Sequence, residues 1–105
     1  MITLINELVS NTEAKFPLGR LVATSNFMHQ TGESGNAEII KAISRHQSGD
    51  WGSSLCQVDS KMNDDALQDP QERLMSVYHT QAGLRFYVIT EWDRSVTTVL
   101  LPEDY

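Results

Sequence analysis

Three segments near the C-terminus limit what this chain can become. Leu74–Thr80, Leu84–Glu91 and Val96–Leu101 are rich in valine, isoleucine, threonine and aromatic residues, and only Gln81-Ala82-Gly83 and Trp92–Ser95 separate them. Connections that short join antiparallel neighbours, because a parallel pair needs a crossover of about a dozen residues or more. The pattern predicts a three-stranded antiparallel meander. In its middle strand Phe86, Val88 and Thr90 point one way and Tyr87, Ile89 and Glu91 the other, since side chains alternate across a sheet. The apolar face so formed has to be covered by the rest of the chain.

The upstream segments supply the cover. After Pro17, the stretch Leu18–Thr24 has the β-favouring residues of a further strand, giving a sheet of about four members. Ser25-Asn26 starts a short helical turn through Phe27-Met28. Thr31–Asn36 is a loop, and Asn36 an N-cap for a helix to about Gln47, with Ile39, Ile40 and Ile43 on one face beside Ala42. Gly49 is placed to end that helix in the left-handed conformation. A second helix runs from a cap at Asp59 to about Asp69, with Met62, Ala66 and Leu67 inward and Asp64-Asp65 outward, and Pro70 stops it. Ile2, Ile5, Leu8 and Val9 recur at helical spacing, and Asn11–Lys15 reads as a linker. The expected fold is α+β, a three- to four-stranded antiparallel sheet with two to three short helices packed on one face. Residues 1–16 form an N-terminal arm or short helix and residues 17–105 a single domain.

The 105 residues suit one domain, and their net charge is −6. That charge is uneven: residues 1–58 carry a net −1 and residues 59–105 a net −5. An acidic half repels a phosphate backbone, so a basic protein surface fits better than nucleic acid itself. Such a surface belongs to a partner like a nucleic-acid-binding host complex. Cys56 is the only cysteine, which excludes an internal disulfide. The apolar runs are only a few residues long and Met1–Ser10 lacks a basic leader, which predicts a cytoplasmic protein with no membrane contact.

Several constellations have a chemical and a structural reading. Arg45-His46-Gln47-Ser48-Gly49-Asp50-Trp51-Gly52 puts a histidine and a carboxylate four residues apart, the parts of an acid–base pair. The same residues describe a helix C-terminus, with cations on the dipole, Gly49 closing the turn and Trp51 plugging the core, and this reading is preferred. His29, His46, His79 and Cys56 follow no metal-ligand spacing, so neither metal nor cofactor is expected. Cys56, between Leu55 and Val58, reads as a buried thiol. Glu91-Trp92-Asp93-Arg94-Ser95 reads as a charged hairpin turn, with an Asp93–Arg94–Ser95 hydrogen-bond set. The stretch Asp59–Glu72 carries Asp59, Asp64, Asp65, Asp69 and Glu72 against Lys61 and Arg73. Together with Asp93 and Arg94 these five acids form the candidate partner-binding set, a row of carboxylates able to meet a basic channel.

The sequence Leu18-Gly19-Arg20-Leu21-Val22-Ala23-Thr24, followed by Arg45-His46, Gly49-Asp50-Trp51-Gly52, Asn63, Leu74 to Tyr78, Ile89-Thr90-Glu91, Asp93-Arg94-Ser95 and Thr97 to Tyr105, resembles a family of short bacterial proteins. Its members are common on plasmids and other mobile elements, and some are labelled as restriction–modification related. The resemblance covers Leu18 to Tyr105 and brings no catalytic residues with it. Met1–Phe16 and Thr31–Asn36 depart from it. It implies a setting of conflict between mobile elements and their hosts, where small acidic proteins inhibit restriction or CRISPR machinery.

The leading expectation is therefore a non-catalytic acidic interaction protein of a mobile genetic element that binds and inhibits or modulates a host defence nucleoprotein. One alternative is a small hydrolase or nuclease using His46, Asp50 and Glu91, which requires the three to converge in a cleft. Another is a dimerising structural module, a homodimer joined through Leu18–Thr24 as an unpaired edge strand.

Overall fold

The computed structural model describes residues 2–3, 14–52, 57–68 and 72–105, with residues 2–3, 57–60 and 68 described by their backbone. In chain order the elements are β1 (Ile2–Thr3), β2 (Arg20–Ala23), α1 (Ser25–Thr31), α2 (Gly35–Gln47), α3 (Gln57–Gln68), β3 (Leu74–His79), β4 (Arg85–Thr90) and β5 (Val96–Leu100). Short 3-10 turns occupy Gly32–Ser34 and Pro102–Asp104.

The class is α+β, and the C-terminal meander forms as its short connections require. β4 pairs antiparallel with both neighbours, Val88 opposite Ser76 on one side and Val99 on the other. The sheet as a whole is mixed, in the order β1-β2-β5-β4-β3. β2 runs parallel to β5, with Leu21 opposite Thr97 and Ala23 opposite Val99. The reason is connectivity: all three helices, β3 and β4 lie between those two strands, so the chain makes a long crossover and no hairpin constrains their direction. Four strands form the body of the sheet, and the two-residue β1 adds to it antiparallel, Ile2 opposite Ala23.

Two expectations about the N-terminal part change accordingly. Ile2-Thr3 are extended, where the spacing of Ile2, Ile5, Leu8 and Val9 suggested a helix; residues 4–13 lie outside the described ones. β2 is not an edge strand over Val22 and Ala23, because β1 and β5 flank it there.

The core lies between the sheet and the helices. Leu21, Leu74, Tyr78, Phe86, Val88 and Val99 face it from the strands, and Phe27, Ile39, Ala42 and Ile43 from α1 and α2. Ile39, Ala42, Ile43 and His46 recur at i, i+3, i+4 and i+7, one stripe of a 3.6-residue helix. Ile40 falls beside that stripe and is 38% exposed, contrary to its predicted inward position. α1 starts at Thr24, whose Oγ1 accepts the Phe27 N–H at 3.1 Å and donates to Asp104 Oδ2 at 2.7 Å. That second bond fastens the C-terminal turn to the helix and, with further bonds from Leu101 and Asn26, holds the Asp104 carboxyl below its ordinary pKa.

α3 lies against the outer edge of β3. It begins at Gln57, so Asp59 falls in its first turn instead of capping it. Ala66 is buried and Leu67 packs against the core as predicted, joined by Asn63; Met62, predicted to face the core, is 59% exposed. Asn63 Oδ1 accepts the Met75 N–H at 3.0 Å and its Nδ2 donates to the Met75 carbonyl at 2.6 Å. One amide thus imitates a neighbouring strand and closes the β3 edge.

The corner after α2 closes the same edge a little further on. Gly49 N–H reaches the His46 carbonyl at 3.2 Å and Asp50 N–H the Arg45 carbonyl at 2.9 Å, the two bonds of a Schellman cap, with Gly49 at φ +87° as predicted. Trp51 is buried, and its carbonyl accepts the Val77 N–H at 3.0 Å. Gly52 has φ +93°, and a Cβ there would run into the Val77 carbonyl.

The two glycines therefore differ in what they tolerate. Gly49→Ala adds left-handed strain of about 1–2 kcal/mol with room for the methyl group. Gly52→Ala adds the same strain plus a backbone collision, and is expected to cost more than about 3 kcal/mol. Urea unfolding of both variants tests this; equal losses would contradict the edge contact at Gly52.

Candidate functional site

Four fully buried polar side chains form one continuous hydrogen-bonded line. Thr97 Oγ1 donates to the Leu18 carbonyl at 2.8 Å. Having used its single proton there, it accepts from Thr90 Oγ1, 2.7 Å away. Thr90 in turn accepts from His46 Nε2, at 3.0 Å. The imidazole is therefore the Nε2–H tautomer, and its bare Nδ1 accepts from Ser76 Oγ at 2.5 Å. His46, Ser76, Thr90 and Thr97 are all fully buried. Phe16 and Trp51 close on the imidazole edge-on, with centroids at 5.2 and 5.6 Å. Burial, with a smaller contribution from the Arg94 charge, pushes the His46 pKa down to about 3, so the ring is neutral at physiological pH.

The three residues of the hydrolase reading do not meet. His46 spends both ring nitrogens inside the core. Asp50 points its carboxylate at Arg45, 2.8 and 3.2 Å from the guanidinium, and at Gly52 N–H. That pairing, chiefly the Arg45 bond, holds Asp50 below the ordinary carboxylate range. Glu91 follows Thr90 and by strand alternation lies on the other face of the sheet. The Arg45–Gly52 segment builds the helix cap and the β3 edge. Trp51 also sends its indole N–H to Asp64 Oδ1, 2.9 Å away.

Of the candidate partner-binding residues, Asp64, Asp65, Glu72 and Asp93 are exposed. Asp65 pairs with Lys61 at 3.3 Å, and Asp93 Oδ1 accepts the Ser95 N–H at 3.0 Å, as the turn reading requires. Asp69 and Cys56 lie outside the described residues, as does the side chain of Asp59. Arg94 has a different part from its neighbours. Its Nη1 donates to the carbonyls of Glu72 (2.7 Å), Glu91 (3.2 Å) and Trp92 (3.3 Å), and its Nη2 to that of Ala66 (2.8 Å). The guanidinium also sits 5.9 Å above the Phe16 ring. To reach these positions Arg94 takes φ +60°, a conformation costly for a residue with a Cβ. It is a clasp that gathers the end of α3, the start of β3 and the β4–β5 turn around one cation.

The sequence reading also passed over Trp92, which is 57% exposed at the tip of that turn. The available signal was its place: a tryptophan in a four-residue hairpin turn has no layer of its own hairpin to cover it. Elsewhere, an open groove of about 560 Å³ separates α1 and α2 from the β3–β4 turn. Its carboxylate, Glu38, already accepts the Gln81 N–H at 2.7 Å. Among the described residues no three His, Cys, Asp or Glu side chains converge as metal ligands, and no helix is long and apolar enough to cross a membrane.

No family model, curated protein or solved structure matches the chain.

The buried imidazole has a measurable consequence. The unfolded chain protonates His46 near pH 6.5 and the folded chain only near 3, so stability is complete above about pH 6.5 and falls as the pH drops toward 3. Between about pH 7 and about pH 5 this one group is expected to remove about 2 kcal/mol. Urea midpoints across that range should show the loss in the wild type and not in His46→Gln. A wild-type midpoint that stays flat would mean that water reaches the ring.

Proposed function

We propose that this protein is a non-catalytic interaction module that engages a basic protein surface. In the setting its sequence resemblance suggests, the partner is a nucleoprotein of a bacterial defence system, restriction or CRISPR, which the module blocks or tunes in the cytoplasm on behalf of a mobile element. The observation that carries the reading is the Arg94 clasp. By binding the carbonyls of Ala66, Glu72, Glu91 and Trp92 it joins the backbone segments that bear the exposed Asp64, Asp65, Glu72 and Asp93. Exposed like charges so grouped create a field that attracts a positive surface over roughly 10 Å at ordinary ionic strength, and repels nucleic acid. The sealing of His46 in the core supports the same reading, since the histidine–hydroxyl network among the described residues is fully buried.

The reading predicts a complex that forms in low salt and dissolves in high salt. Immobilised wild-type protein should retain basic nucleic-acid-binding proteins from a bacterial host lysate, and the triple variant Asp64→Lys, Asp65→Lys, Asp93→Lys should lose most of them. Equal retention by the triple variant, or retention indifferent to salt, would remove the acidic surface as the interface.

A further inference from the structure

The β4–β5 turn combines features that a solvated charged turn does not need. Trp92 is 57% exposed, and among the described residues its ring meets no aromatic ring and no cation. The other cationic side chains near aromatic rings are already in use: Arg45 lies 4.6 Å over Tyr78, Arg73 5.3 Å over Tyr105 and Arg85 5.6 Å over Tyr87. Trp92 is the best cation–π acceptor among natural side chains and is left open at a rigid tip. The rigidity has a visible source. Its own carbonyl and that of Glu72 bind the same Arg94 nitrogen, at 3.3 and 2.7 Å. Arg94 N–H also closes the turn on the Glu91 carbonyl at 2.9 Å. Asp93, next in the chain, and Glu72, whose carbonyl shares that nitrogen, are exposed as well, while the guanidinium is taken up by backbone carbonyls.

We propose that Trp92 is the anchor for a guanidinium-bearing segment of the partner, an arginine-rich loop or tail. This rests on the proposed basic-partner function and names the chemistry that the partner presents. A planar guanidinium stacks on an indole face and at the same time offers in-plane N–H groups to a flanking carboxylate; an ammonium offers a point charge without the stacking plane. An acidic, aromatic tip therefore prefers arginine to lysine, and the preference resides in the ring rather than in the charges.

The test uses labelled oligo-arginine and oligo-lysine peptides of equal length, titrated with the full chain at low salt. The wild type should bind the arginine peptide roughly fivefold more tightly than the lysine peptide. Trp92→Leu keeps an apolar side chain and every charge; it should bind both peptides with the weaker, equal affinity and unfold at the wild-type urea midpoint. Asp93→Lys should weaken both peptides. Equal binding of the two peptides by the wild type, or a preference that survives Trp92→Leu, overturns the anchor and leaves the basic-partner reading intact. Binding of neither peptide overturns both.

Discussion

The fold turns on a line of four polar side chains through its core. His46 on α2, Ser76 on β3, Thr90 on β4 and Thr97 on β5 each satisfy the next, and the line ends on the carbonyl of Leu18 ahead of β2. α2, β3, β4 and β5 each contribute one side chain, and the segment ahead of β2 one carbonyl. A polar group buried without a partner costs on the order of 1–3 kcal/mol, so the line is stable only when all its members are in register. A one-residue slip of β4 would turn Thr90 to the other face and strand both His46 and Thr97. Apolar packing makes the core compact; this line makes one arrangement of it preferable to its neighbours.

The surface is organised from the same place. Phe16 packs edge-on against His46 and carries the Arg94 guanidinium on its outer side. Arg94 is thereby held over the core while its donors reach four backbone carbonyls. Glycine would fit its left-handed backbone without strain. An arginine at that position exchanges local strain for fastening the end of α3 to the paired ends of β3 and β4. The shape of the turn around Trp92 is in this sense an extension of core packing.

Local patterns were legible where local physics decides. Short turns between β-rich segments dictate an antiparallel meander, and the alternation of Phe86, Val88 and Thr90 gives its inner face. The glycine after α2 announces its cap. Long-range matters were not legible. Nothing in Leu18–Thr24 reveals its direction relative to Val96–Leu101, because the crossover between them frees it from hairpin geometry. Asn63 faces inward where Met62 was expected to, because Asn63 finds the open edge of β3, a partner that hydrophobic spacing along one helix does not record. His46 reads as a catalytic or cap residue until the hydroxyls of Ser76 and Thr90, distant in sequence, are seen to enclose it. Arg94 counts as a surface charge until its acceptors prove to be carbonyls, which composition does not register.

Ser76 and His46 are a hydroxyl and an imidazole in direct contact, the beginning of a nucleophilic pair, and their environment removes that chemistry. Nδ1 accepts the Ser76 proton, but the opposite nitrogen donates to a neutral threonine and not to a carboxylate, so no negative charge stabilises an imidazolium as it forms. Burial lowers the ring's basicity further. A substrate would have to part α2 from the sheet and break the line that fixes the strands. The histidine and serine suited to reaction thus hold the structure together, while Glu72, Trp92 and Asp93 stay exposed around the clasped turn.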